Sequence, residues 1–164
     1  LPNMPTLIEH KHMRFLIFDA PYERDLELYL KEIERHGVTD VVQVRDPTYD
    51  RNVFEDHSIT VHNWAFPDGD ALPANIVAAW VKLVESKFGV KTKSSDNIAK
   101  PKKAIGVHGV AGLGRARVLV AMALIESGMA PLDSVIFIRE RRQSAINARQ
   151  LKYIETYKRK SKDK

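Results

Sequence analysis

The run Lys103–Arg117, KAIGVHGVAGLGRAR, sets glycines at 109, 112 and 114 between an apolar strand-like stretch and a helical one. Glycine lets a backbone turn tightly and point successive N–H groups at one spot. A helix starting at that spot adds the positive end of its dipole. The combination is a seat for an oxyanion, comprising Gly109, Val110, Ala111, Gly112, Leu113, Gly114 and Arg115. Arg115 stands at its rim, where a planar guanidinium holds phosphate through paired hydrogen bonds. A nucleotide P-loop would end in Gly-Lys-Ser/Thr, but here the end is Gly114-Arg115-Ala116. A dinucleotide loop follows the first strand and leads to a further strand with an acidic residue, whereas two helical segments follow this one.

Turnover needs a nucleophile or a proton donor beside such a seat. The chain has no cysteine among its 164 residues, which excludes disulfides, thiolate-bound zinc and thiol catalysis. Val110, Ala111 and Leu113 are chemically inert. Asp68, next to Gly69, reads on composition as a turn residue, His108 as a structural histidine, and Trp64 and Trp80 as core. No cofactor or metal is expected.

The net charge is +5, and residues 139–164 carry ten Lys/Arg against three acids. A basic end of this kind is attracted to anionic lipid by ~1 kcal/mol per residue near the surface; it is equally a solvated helix face with a frayed tail. Tyr153 and Tyr157 alone could stack on bases there, which argues against nucleic acid. No apolar run reaches the ~18 residues of a membrane span, and the first residues lack a secretory pattern. A cytoplasmic protein is expected, its basic end able to reach the inner membrane surface.

Several elements must position the seat. Met13–Asp19 (MRFLIFD) reads as a strand, 23–36 as a helix stopped by Gly37, and Val38–Val44 as a buried β-branched strand. Residues 58–66 read as another strand, with a turn-rich loop at 67–73. Residues 73–88 have the pattern of an amphipathic helix, 91–103 is polar, and 104–107 is a short buried strand. Helices follow over 114–127, over 131–142 with proline at its start, and over 147–160. Alternation early and helices late predict one α/β domain over 1–164, with core 8–160 and a basic tail from 158. A mostly parallel sheet is flanked by helices.

The remaining loop that fits is His-Cys-five residues-Arg, with His108, position 109, Val110–Gly114 and Arg115 in its frame. The chain resembles the phosphatase of regenerating liver (PRL) family, within the dual-specificity protein tyrosine phosphatases. MRFLI at 13–17, HGVTDVVQVRDPTYD at 36–50, WAFPDG at 64–69, VAGLGRA at 110–116, LIESGM at 124–129 and FIRERR at 137–142 follow that family's order and spacing. Ala116 stands where most tyrosine phosphatases have Ser or Thr. The resemblance implies the fold of these phosphatases. It makes Asp68 the general acid, Arg115 the phosphate-binding residue, Asp46 the acid that holds that arginine, and Gln150 a water-positioning residue. His108 is supporting. It also implies phosphorylated protein or phosphoinositide ligands, a CNNM-type magnesium transporter as partner, and trimers.

The pattern breaks at its centre. Gly109 occupies the position of the attacking cysteine, whose thiolate the loop amides and helix end would otherwise stabilise. Arg45 replaces a cysteine of the family's redox switch, Arg117 replaces a proline, and Ala65 and Pro67 alter the acid loop. These departures imply a domain that grips an anion without hydrolysing it. The other reading is an active phosphatase whose cysteine was substituted.

Overall fold

The computed structural model describes residues 4–66, 72–89, 102–109, 114–143 and 146–160. Asp68, Pro67, Val110–Leu113, the turn-rich loop over 67–71 and most of the polar stretch 91–103 lie outside these.

Strands β1 (Thr6–His10), β2 (Met13–Asp19), β3 (Val38–Gln43), β4 (Thr60–Asn63) and β5 (Ala104–Gly109) form one five-stranded sheet in the order β1-β2-β5-β3-β4. Only the β1–β2 pair is antiparallel; β5 lies parallel between β2 and β3. The helices are α1 (Leu26–Arg35), α2 (Asn52–Glu55), α3 (Ala74–Phe88), α4 (Arg115–Glu126), α5 (Pro131–Arg141) and α6 (Ala148–Thr156). The expected mostly parallel α/β architecture is the observed one. Side-chain alternation along β2 explains its two faces. Phe15 and Ile17 join the core under α3, α4, α5 and α6, while Leu16 and Phe18 join the core under α1 and α2.

Helix α4 is buried on every side from Arg115 to Ile125, the pattern of a helix enclosed by other elements. Trp80 of α3 is fully buried and donates its indole N–H to the Leu119 carbonyl at 2.8 Å, which locks α3 onto α4. Both tryptophans were expected in the core. Trp80 is there, and Trp64 is half-buried at its edge.

Several boundaries differ from the expected ones. β1 was not expected, because its apolar residues Leu7 and Ile8 stand between Thr6 and Glu9 without a longer run. β4 ends at Asn63 rather than running to Phe66, since after the Trp64 N–H to Gln43 carbonyl bond of 2.8 Å the chain leaves the sheet. β5 extends two residues beyond the expected Val107 because neighbours on both sides continue to pair with it. α6 stops at Thr156: Tyr157 is extended, and its hydroxyl donates to Glu126 at 2.6 Å.

A polar lock also went unforeseen. Buried Asp40 of β3 accepts from Thr39 at 2.7 Å, from His62 of β4 at 2.8 Å and from Lys87 of α3 at 2.8 Å. Burial alone would raise its pKa, yet these donors hold the carboxyl well below the usual range.

Trp80→Ala should cost about 3–5 kcal/mol of unfolding free energy, from lost burial and the cavity left behind. Trp80→Phe, which forfeits less volume, should cost less. Urea denaturation with far-UV circular dichroism measures both.

Candidate functional site

β5 delivers His108 and Gly109 to the carboxyl edge of the sheet, where open parallel sheets bind ligands. Gly109 pairs in register with Asp19 of β2, and His108 with Gln43 of β3. The Gly109 carbonyl accepts from Ala20 N–H at 3.2 Å, and the His108 carbonyl from Val44 N–H at 3.1 Å. The strand end is therefore clamped from both sides. The chain re-enters at Gly114, whose φ of +80° caps α4 in the left-handed region. A Cβ at Gly114 would also lie 2.6 Å from Gln150 Oε1, so glycine is required twice over.

Arg115 is the first residue of α4 and only 8% exposed. Its Nη1 donates to the Phe66 carbonyl at 2.8 Å, and its guanidinium lies 5.5 Å from the centroid of the Phe66 ring. Its Nε has no acceptor among the described residues. The expected tether was Asp46, but that residue is exposed and forms no ion pair with Arg115 among the described residues. A backbone carbonyl and an aromatic face do the holding instead. The bond also couples Arg115 to the segment that leads towards Asp68.

His108 is fully buried, and the Tyr49 hydroxyl lies 2.8 Å from its Nε2. Burial, then the positive charge of Arg45, pushes the imidazole down to about 3, so the ring is neutral. Burial also raises the Tyr49 phenol. The hydroxyl thus donates, Nε2 accepts, and the ring proton sits on Nδ1, which has no partner among the described residues. This geometry suits a structural histidine rather than a proton shuttle. Gln150 closes a capping box with Asn147 at the start of α6, its Oε1 accepting from Asn147 N–H at 3.1 Å. The same side chain rests over Gly114.

The structure thus brings Gly109 beside Arg115 and Gly114 under Gln150, while the His108 ring packs against Phe18 and Tyr49. A Cβ built on Gly109 would meet Val44 Cγ2 at 3.1 Å, so a larger residue needs Val44 to yield by a few tenths of an ångström. Tyr49 and Phe66 were not foreseen. Tyr49 carried a signal, the aromatic in the TYD run of the 36–50 segment; Phe66 carried none, because its carbonyl does the work. Among the described residues no group of acidic and histidine side chains could hold a metal.

No family model matches the chain. A probable protein tyrosine phosphatase type IVA A of Dictyostelium discoideum is 44% identical over 162 residues, 99% of this chain and 92% of the relative. The chain belongs to the PRL, or type IVA, family of protein tyrosine phosphatases. Human protein tyrosine phosphatase type IVA 3 is 43% identical over 158 residues, 96% of this chain and 86% of its own length. A solved structure of a putative protein tyrosine phosphatase from Leishmania major superposes with a TM-score of 0.83 at 38% identity, covering 94% of this chain and 99% of that one. The active form of Tk-PTP shares the fold, with a TM-score of 0.67 at 20% identity over 92% of each chain. Against the PRL family, this chain lacks the cysteine nucleophile, having no cysteine at all.

An unfolded histidine titrates near ~6.5, whereas His108 stays neutral down to about 3. Unfolding therefore takes up a proton below the higher value, and stability present above it is lost as pH falls towards the lower one. His108→Asn should flatten the slope of unfolding free energy by about one proton between about pH 6 and pH 4, as read from urea midpoints across that range.

Proposed function

We propose that the chain is a PRL-type domain that holds a phosphorylated group without hydrolysing it. The observation that carries this reading is Gly109 at the place of the nucleophile, with the clamped strand end, the capped helix start and buried Arg115 kept around it. Phosphate monoesters are among the slowest substrates to hydrolyse unaided, and their enzymes supply accelerations of up to ~10²¹-fold. Losing the nucleophile of a concerted set leaves binding and electrostatics, a residual ~10³–10⁴-fold over water in the protease case. For so slow a reaction that residue is negligible. Binding does not depend on the lost sulfur, because amide dipoles, a helix end and a guanidinium supply it.

The PRL family supports phosphorylated proteins as the ligand class. A CNNM-type transporter domain that offers an acidic side chain is a partner of the same chemistry, reachable without turnover. The basic end over residues 139–164 suits a position near an anionic membrane surface. Self-association into trimers, as in the family, fits this reading equally.

The purified chain should release no phosphate from p-nitrophenyl phosphate beyond an Arg115→Met control, while titration calorimetry detects phosphate binding that this variant loses. Gly109→Cys should gain hydrolysis once Val44 shifts to admit the side chain. Turnover by the unaltered chain equal to that of Gly109→Cys refutes the reading.

A further inference from the structure

The far end of α4 borders a cavity that the site at its start does not use. At about 1.5 Å of rise per residue, about 17 Å of helix separate Arg115 from Glu126. There the end of α3 and the β1–β2 turn close a cavity of about 250 Å³ against α4. Its apolar walls are Met13, Trp80, Val81, Val84, Phe88 and Ala123. Phe15 packs on both aromatic rings, 5.6 Å from Trp80 and 5.6 Å from Phe88, so that wall is fixed before anything enters. An apolar cavity of about 150 Å³ already accepts benzene, so this one has room for a single ring and a short chain. Lys11, His12, Glu85 and Gly89 are exposed and mark the mouth.

The mouth is charged unevenly. Helices α3 and α4 both end here, at Phe88 and Glu126, and a helix C-terminus carries partial negative charge. The protein already sends cations to the α4 end: Lys11 Nζ donates to the Ser127 carbonyl at 2.9 Å, and Arg159 Nη2 to the Glu126 carbonyl at 2.9 Å. The Glu126 carboxylate is engaged too, accepting from the Tyr157 hydroxyl at 2.6 Å and the Lys160 N–H at 2.7 Å. The α3 end lacks such a partner. Lys87, in its last turn, goes to Asp40 at 2.8 Å, and the Glu85 carboxylate makes no hydrogen bond or ion pair among the described residues. The opposing positive charge is Lys11, whose ammonium is committed to Ser127; His12 follows it in the turn. Glu85 is thus an unanswered negative charge at the mouth of an apolar cavity.

We propose that this cavity binds a small organic cation, an ammonium group on a single apolar ring, with the ring inside and the ammonium at Glu85. Trp80 and Phe88 serve such a ligand twice: they bury its ring, and their faces attract positive charge. The two helix ends favour the same sign. An anion of the same shape meets repulsion from Glu85 and from both helix ends. The site is separate from the anion seat and needs neither Gly109 nor Arg115. The alternative is a packing gap beside a solvated surface carboxylate.

Amide NMR titrations of the whole chain with phenethylamine, phenethyl alcohol and phenylacetate, at about pH 8 where an ordinary histidine is uncharged, decide between them. Phenethylamine should shift the Trp80 indole and Phe88 amide resonances. It should bind about fivefold more tightly than the alcohol, the gain from an ion pair and helix ends at an exposed mouth. Phenylacetate should bind most weakly. Glu85→Gln, an exposed change, should equalise amine and alcohol while leaving the alcohol's affinity unchanged. Val81→Phe, which fills the cavity, should abolish the shifts with all three probes; if that variant does not fold, Glu85→Gln decides alone. Lys82→Gln, exposed on the same helix and outside the cavity walls, should alter nothing. Resonances that no probe moves overturn the site. Amine and alcohol bound alike by the unaltered chain, or a preference for the amine that survives Glu85→Gln, overturn its choice of cation and with it the proposal.

Discussion

Placing β5 between β2 and β3 is the constraint on which the rest of the molecule depends. Hydrogen bonds from both neighbours continue to the last residue of the strand, so Gly109 leaves the sheet from a fixed position. Helix α4 is equally fixed, because it is enclosed on every side and pinned by Trp80. The strand end at Gly109 and the helix start at Gly114 are therefore both held in place. Under the function proposed above, an anion there would meet Arg115 and the helix end already in place, and preorganisation of that kind lowers the cost of holding it.

Loss of the nucleophile changes chemistry more than architecture. Glycine at 109 sits in regular strand geometry and asks nothing of its neighbours, whereas a larger residue would need Val44 to yield. The supports of the site persist around it: the neutral His108 held by Tyr49, the glycine at 114 under Gln150, and the Arg115 bond to Phe66. Each serves the fold as well as the ligand. Tyr49 and His108 fill the core beside Phe18 and Phe54, and Gln150 caps a helix.

Charge is distributed with the same economy. Arg45, Arg115, Arg117 and Arg142 surround the edge of the sheet, while Asp19 lies among them on the β2 flank. Arg45 lowers the basicity of His108 from one side, and Arg142 donates to Asp19 at the other. Such a field favours oxyanions over neutral ligands before any specific contact forms.

The sequence alone determined the architecture and the kind of site. Buried β-branched runs, helix stops at glycine and the glycine-rich stretch after 108 are local signals, and each depends on residues close together in the chain. The absence of cysteine is likewise complete in the sequence, and with it the loss of thiol chemistry. Only the tertiary structure decided which groups hold the site. Arg115 answers to the carbonyl of Phe66 rather than to Asp46, and a carbonyl leaves no trace in residue type. Tyr49 meets His108 across 59 positions, and Arg142 meets Thr6 across 136. Asp40, His62 and Lys87 converge from three elements. These pairings arise from the packing of distant segments, where long-range geometry, not local propensity, selects the partner.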